Sequence, residues 1–281
     1  MSMRLIFATM VLIAGGVILA DERNEQRREA LLAQMRSLAE KTKIEVEGSD
    51  RQSELMKSPI FRYDDQPRRF IDATIWAWTD QGRPVAFQKI EAVEFGDPDA
   101  PSSTWQYCFA SLSSDLLRVE WPDCPRFRST KPGIEFRPLE GAPEVAEGSS
   151  QRKRQTRELA RKFSARIITS RVNDIRQQMR LLTTPLMEYV DPKSKEFRGA
   201  VFGMATNGTN PDLLIVLEIR ESQGTAAWHY APARMTCGGV NLAYRDREVW
   251  QVDWVDGSQG PFPTWTFFST ERAPLALEDK P

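Results

Sequence analysis

The chain has 281 residues, 41% of them hydrophobic and 27% charged, with a formal net charge of −1. This is globular composition, long enough for one large core or two small ones, and it excludes a charge-driven disordered chain. The near-zero net charge offers no global field for nucleic acid, and a single histidine excludes any multi-histidine metal centre.

Residues 1–20 read MSMRLIFATMVLIAGGVILA. One basic residue, Arg4, precedes an apolar run from Leu5 to Leu19, and charge begins directly after Ala20. This is the layout of a secretory signal peptide cleaved near Ala20. The run is slightly short for a membrane span and contains Gly15 and Gly16. The mature chain is expected to be exported, periplasmic or secreted, without a transmembrane span. Cys108, Cys124 and Cys237 show no CxxC spacing and read as small buried residues.

After the signal, NEQRREALLAQMRSLAEKTK places Leu31, Met35 and Leu38 on one helical face, with Leu32 and Ala39 beside them. A proline element follows, LMKSPIFRYDD. Then ATIWAWTDQGRPVAFQKIEAV reads as strand, turn, strand, the turn carrying Asp, Gly and Pro. Strands Trp105–Leu112 and Leu116–Trp121 are expected to complete a meander. Residues 138–150, PLEGAPEVAEGSS, read as a linker. A second helix is expected in SSQRKRQTRELARKFSARII, capped by Ser150, with Leu159, Phe163 and Ile167 four apart. An alternating strand, Ile175–Leu181, comes next, then a hairpin in AVFGMATNGTNPDLLIVLEI and strands Trp228–Met235 and Val240–Tyr244. Trp265, Phe267 and Phe268 mark one more strand or a packed arm before a loose tail.

This order is a repeat. Leu55, Pro59, Tyr63 and Asp65 recur as Leu181, Pro185, Tyr189 and Asp191. Phe70, Pro84 and Glu91 recur as Phe197, Pro211 and Glu218, and Trp105, Tyr107 and Asp123 as Trp228, Tyr230 and Asp246. The expected fold is α+β: a tandem duplication of one helix followed by an antiparallel β-meander, packed about a pseudo-twofold axis. The expected divisions are a signal peptide at 1–20, a first repeat at 21–137, a linker at 138–150, a second repeat at 151–255 and a C-terminal arm at 256–281.

The elements WTDQGRPVAF, PGIEFRPL followed by GAPE, RELARKFSA, RLLTTPL and REVW resemble those of a family of uncharacterised exported bacterial proteins. The resemblance spans nearly the whole mature chain. It implies export and two internal helix-plus-β repeats, and it implies no chemistry.

Candidate ligand-binding residues are Trp76, Trp78 and His229. The hairpin alignment sets Trp76 and Trp78 over Gly203 and Ala205. Two readings stand: an aromatic platform for a sugar or peptide, or complementary packing across the pseudo-twofold axis. His229 sits between Trp228 and Tyr230 and faces away from both on a strand. Asp65, Asp191, Asp123 and Asp246 lie beside prolines or in turns, where carboxylates bond the backbone. The basic run Arg152–Arg166 reads as a solvated face beside Glu140, Glu144 and Glu147. No catalytic constellation, metal spacing or cofactor loop is present in the sequence. The expected function is a non-catalytic binding or interaction module of the cell envelope, its partner an envelope protein or glycan and not nucleic acid. The alternative is an envelope polysaccharide hydrolase, with paired carboxylates beside the tryptophans.

Overall fold

A computed structural model of the chain describes residues 24–49, 52–97, 100–121, 126–170, 175–222 and 224–272. Residues 1–20, read above as a signal peptide, Asp123, Cys124 and the last residues of the tail lie outside them. The fold is α+β, mostly antiparallel sheet with two α-helices among the described residues, α1 over 24–40 and α2 at Ser149–Ala160. No helix there is long and apolar enough to cross a membrane.

The first half carries β1 (Lys43–Val46), β2 (Glu54–Leu55), β3 (Phe61–Asp65), β4 (Phe70–Asp80), β5 (Arg83–Asp97), β6 (Ala100–Ser111), β7 (Leu117–Glu120), β8 (Phe127–Arg128) and β9 (Arg137–Pro138). The second carries β10 (Phe163–Ser170), β11 (Ile175–Leu181), β12 (Met187–Val190), β13 (Phe197–Ala205), β14 (Leu213–Ser222), β15 (Thr225–Arg234), β16 (Gly239–Tyr244) and β17 (Arg247–Val252), and β18 (Trp265–Glu271) follows. One sheet runs β18-β6-β5-β4-β2, with β3 also on β4, and a small sheet runs β1-β7-β8. The other large sheet runs β17-β16-β10-β11-β13-β14-β15-β9, with β12 also on β13. The two edge strands are exchanged: β9 follows the first half but pairs with β15, and β18 follows the second but pairs with β6.

The β4–β5 turn shows why the hairpin signal was readable. Asp80 pairs with Arg83, and the two residues between them, Gln81 and Gly82, both take positive φ (51° and 78°). That is the primed turn whose twist matches the strands it joins.

Two expectations are corrected. The meander stops at β6: β7 pairs with β1 instead, and β16 pairs with β10, not β15. The edges the meander would have used are occupied by the exchanged strands β18 and β9. The second helix also ends earlier than its pattern suggested, at Ala160, and Phe163 and Ile167 lie in β10. A spacing of four satisfies a strand period of 2 as well as a helix, and the aromatic and β-branched residues of FSARIITS favour the strand. The N-cap is Gly148 and has no side-chain cap; the Ser149 hydroxyl instead accepts the Phe197 N–H.

One core lies between the large sheets, where Tyr63, Ile75, Ala77 and Phe87 meet Leu186, Val201, Leu214 and Val216. On the outer face of the first sheet, α1 sets Leu31, Met35 and Ala39 against Trp76, Ile90 and Trp105. The β1-β7-β8 sheet covers Trp78, Ala86 and Phe109 beside it. On the second half, α2 contributes Leu159 and Ala160 to a core with Phe202, Leu217 and Trp228. Leu139, in the segment read as a linker, is buried in that core and its N–H donates to the Trp228 carbonyl.

Candidate ligand groove

Trp76 and Trp78 are 1% and 4% exposed. The Trp76 indole donates to Thr74 Oγ1 at 2.9 Å and the Trp78 indole to Gln88 Oε1 at 3.4 Å. Their rings lie under α1 and the small sheet, in two separate clusters. The register also changes their counterparts. Ala73 lies between Tyr63 and Glu91, and Gly199 lies between Tyr189 and Glu218. Counted from those partners, Trp76 falls on Phe202 and Trp78 on Met204, not on Gly203 and Ala205. A bulge in β4 between Phe70 and Asp72 takes up the extra residue, and a one-residue slip exchanges the two faces of a strand. Large residues thus meet large ones in both halves.

His229 lies opposite Glu218 and Pro138 and is 9% exposed, its Nδ1 3.2 Å from the Ala227 carbonyl. It lies in the other large sheet from both tryptophans. Asp191 is half-buried and accepts N–H bonds from Lys193 and Ser194, with Arg198 at 2.7 Å. Those bonds, led by Ser194, lower its pKa to about 2. Asp65 is buried beside Arg68, and burial raises its pKa. On α2, Arg152 pairs with Glu196, while Lys153 and Arg157 pair with Glu188. Glu188 lies in β12 and Glu196 just before β13, so these partners are not the linker glutamates Glu140, Glu144 and Glu147.

The structure instead gathers polar groups in two buried clusters. The Tyr63 hydroxyl donates to Glu91, which also accepts from Asn210 Nδ2 at 3.2 Å. The Tyr189 hydroxyl donates to Glu218 at 2.8 Å, and Arg83 and Arg220 reach the same carboxylate at 2.9 and 3.0 Å. Burial raises the pKa of Glu91, against the pull of Lys89. Lys89 is buried and donates to Asn210 Oδ1 and the Pro211 carbonyl. Both buried carboxylates are thus hydrogen-bonded, as buried charge requires, although Arg83 Nη2 finds no acceptor.

An open groove lies elsewhere. Between β9 and β17, the two ends of the larger sheet, is a groove of about 560 Å³. Tyr230 and Tyr244 line it, with Phe163 packed behind both at 5.6 and 4.8 Å between ring centres. Leu139 and Val249 add apolar surface, and Arg137, Arg245 and Arg247 bring charge. Tyr230 Oη and Arg137 Nη1 both donate to the Val249 carbonyl, at 3.3 and 3.1 Å, so side chains bridge the two edges.

Local sequence sets the groove's charged wall. Arg245 and Asp246 hold positive φ (49° and 65°) in the two-residue turn between Tyr244 and Arg247. Arginine is an uncommon residue in that conformation, which the surroundings must enforce. The Arg245 N–H donates to the Lys162 carbonyl, and its guanidinium lies 5.5 Å from the Tyr244 ring centre. A side chain at Gly141 would crowd that guanidinium, its Cβ falling 3.0 Å from Nη1. No carboxylate pairs with Arg245 among the described residues, whereas Arg247 pairs with Glu140 and Arg137 with Glu135. The Tyr244 hydroxyl is buried and donates to no acceptor; burial raises its pKa, and the adjacent Arg245 guanidinium opposes by charge and as a hydrogen-bond donor.

No family model, curated protein or solved structure matches the chain.

What the groove can do chemically follows from its lining. It offers two phenol rings, a free cation and an idle hydroxyl within a volume typical of small-molecule sites. Sequence reading missed it because its walls come from β9, β15, β16 and β17, which lie far apart in the sequence and meet only in the folded sheet. Among the described residues, no three His, Cys, Asp or Glu side chains gather as a metal site would require.

Proposed function

We propose that the chain is an exported, non-catalytic binding module of the cell envelope, built by internal duplication, and that its ligand occupies the groove between β9 and β17. The groove carries this reading: it is lined by tyrosines, it holds an unpaired arginine, and its size suits a small molecule. The candidate carboxylates support a non-catalytic role, since Asp191 caps a turn and Asp65 is buried beside Arg68.

Pairing order supports the duplication. β1 lies beside β7, β7 beside β8, and β4-β5-β6 are consecutive, just as β10 lies beside β16, β16 beside β17, and β13-β14-β15 are consecutive. Each half begins with its helix. A pseudo-twofold relation is supported by reciprocal reach: Arg83 of the first turn bonds Glu218, and Asn210 of the second turn bonds Glu91. Export rests on residues 1–20.

Native mass spectrometry of the protein, recovered after incubation with an envelope extract, tests the function. A co-purifying small molecule is the expected result. Release of new reducing ends from envelope polysaccharide would overturn the reading in favour of a hydrolase.

A further inference from the structure

We infer that the groove between β9 and β17 takes an amphipathic monoanion, an aromatic or alkyl body with one carboxylate, phosphate or sulfonate head, and that Arg245 and the Tyr244 hydroxyl hold the head. This deepens the binding reading above and rests on it.

The corresponding place in the first half shows what a filled seam looks like. There β8 and β18 are the strands that face each other, and the space left between them is about 160 Å³. Phe268, opposite Tyr107 in the β18–β6 pairing, fills the rest: its ring lies 4.9 Å from that of Tyr107 and 5.0 Å from that of Trp121. Opposite Tyr230 in the β9–β15 pairing, the residue is Arg137. Arg137 turns to the Val249 carbonyl and adds no ring on the groove side of the tyrosines, which Phe163 backs from behind. The second seam therefore stays open at more than three times the volume. An apolar body placed there would pack against Tyr230 and Tyr244 as Phe268 packs in the first half, stacked on Tyr107 and edge-on to Trp121.

Charge at the groove decides the head group. Arg247 is paired with Glu140, and Glu248 accepts from Asn241 at 2.8 Å. That leaves Arg245 as the cation free to receive an anion, beside a phenol whose hydroxyl donates to nothing. A planar guanidinium and an O–H donor side by side fit the oxygens of a carboxylate, phosphate or sulfonate. A cationic head would meet Arg245 unshielded, and a neutral one would leave both donors idle.

Two dyes test this on the full chain: 8-anilinonaphthalene-1-sulfonate, and N-phenyl-1-naphthylamine, which has the same body without the sulfonate. Saturable binding of the anionic dye at one site is expected, about tenfold tighter than the neutral dye. Arg245→Gln should remove that preference and leave the neutral dye unchanged. Arg137→Phe should close the seam and abolish binding of both, its urea midpoint showing that the protein still folds. Equal affinity for the two dyes, with Arg245→Gln silent, overturns the anion assignment while leaving the groove as a binding site. Undiminished binding of both dyes in Arg137→Phe overturns the groove itself, and the binding reading with it. Failure of both dyes to bind overturns the inference, leaving the envelope-extract experiment to judge the broader reading.

Discussion

Arg83, the last residue of the tight β4–β5 turn, donates to Glu218 in the middle of β14 at 2.9 Å. The carboxylate is fully buried, while the arginine side chain is a third exposed. The bond therefore joins the surface of one half to the interior of the other, and it is one of four groups holding that charge.

Removing it tests how the halves are joined. Arg83→Met should lower stability by about 1–3 kcal/mol, because Arg198 and Arg220 still neutralise Glu218, Tyr189 still donates to it, and the lost partner was partly solvated. Urea denaturation measures this; an unchanged midpoint would remove Arg83 from the joint.

Glu91 predicts a dependence on pH. Burial raises its folded pKa above the ordinary 4.5, so the folded chain holds a proton there that the unfolded chain has released. Its contribution is complete below 4.5 and fades as pH climbs through the raised folded value. Glu91→Gln keeps an acceptor for Tyr63 without the charge, so stability measured from pH 4 upward should decline less steeply than in the parent. A variant curve parallel to the parent would assign the decline to other groups.

Trp76→Ala should cost about 3–5 kcal/mol, the usual penalty for emptying a large aromatic site. The loss would appear as looser packing of α1, since Leu31 and Met35 rest on that ring. Dye binding at the groove should be unaffected once folding is restored at low temperature. A stable variant would mean that the ring is not the floor beneath the helix.

The mature protein should begin at Asp21. Edman sequencing of material recovered from the envelope fraction decides it, and a retained Met1 or Ser2 would replace cleavage by anchoring.

How much of this was legible in the sequence depended on the range of the interaction concerned. Leu31, Met35 and Ala39 report their burial through local spacing, and Gln81-Gly82 reports its turn through residue type. Phe163 and Ile167 mislead because four residues is a whole number of periods for a strand and nearly one for a helix. The tryptophans were placed on the wrong neighbours by one bulge, which no local pattern announces. Glu91 and Glu218 did carry a signal: each is an acid flanked by apolar residues within a strand, in KIEAV and VLEIR, and each pairs with a tyrosine that also recurs. The groove carried none, since Arg137 and Tyr230 become neighbours only after β9 crosses to the second half.

The exchanged edge strands also set the order in which the molecule can be finished. A chain emerges N-terminus first. The outer edge of β6 stays bare until β18, whose last residue is Glu271, has arrived. Through that interval the nascent first half presents a long row of unsatisfied backbone groups, the kind of edge on which neighbouring chains aggregate. The second half, by contrast, meets its edge strand already made, because β9 is synthesised before β15. One half waits and the other does not, so a chain cut short before Trp265 would strand its first half in the aggregation-prone state.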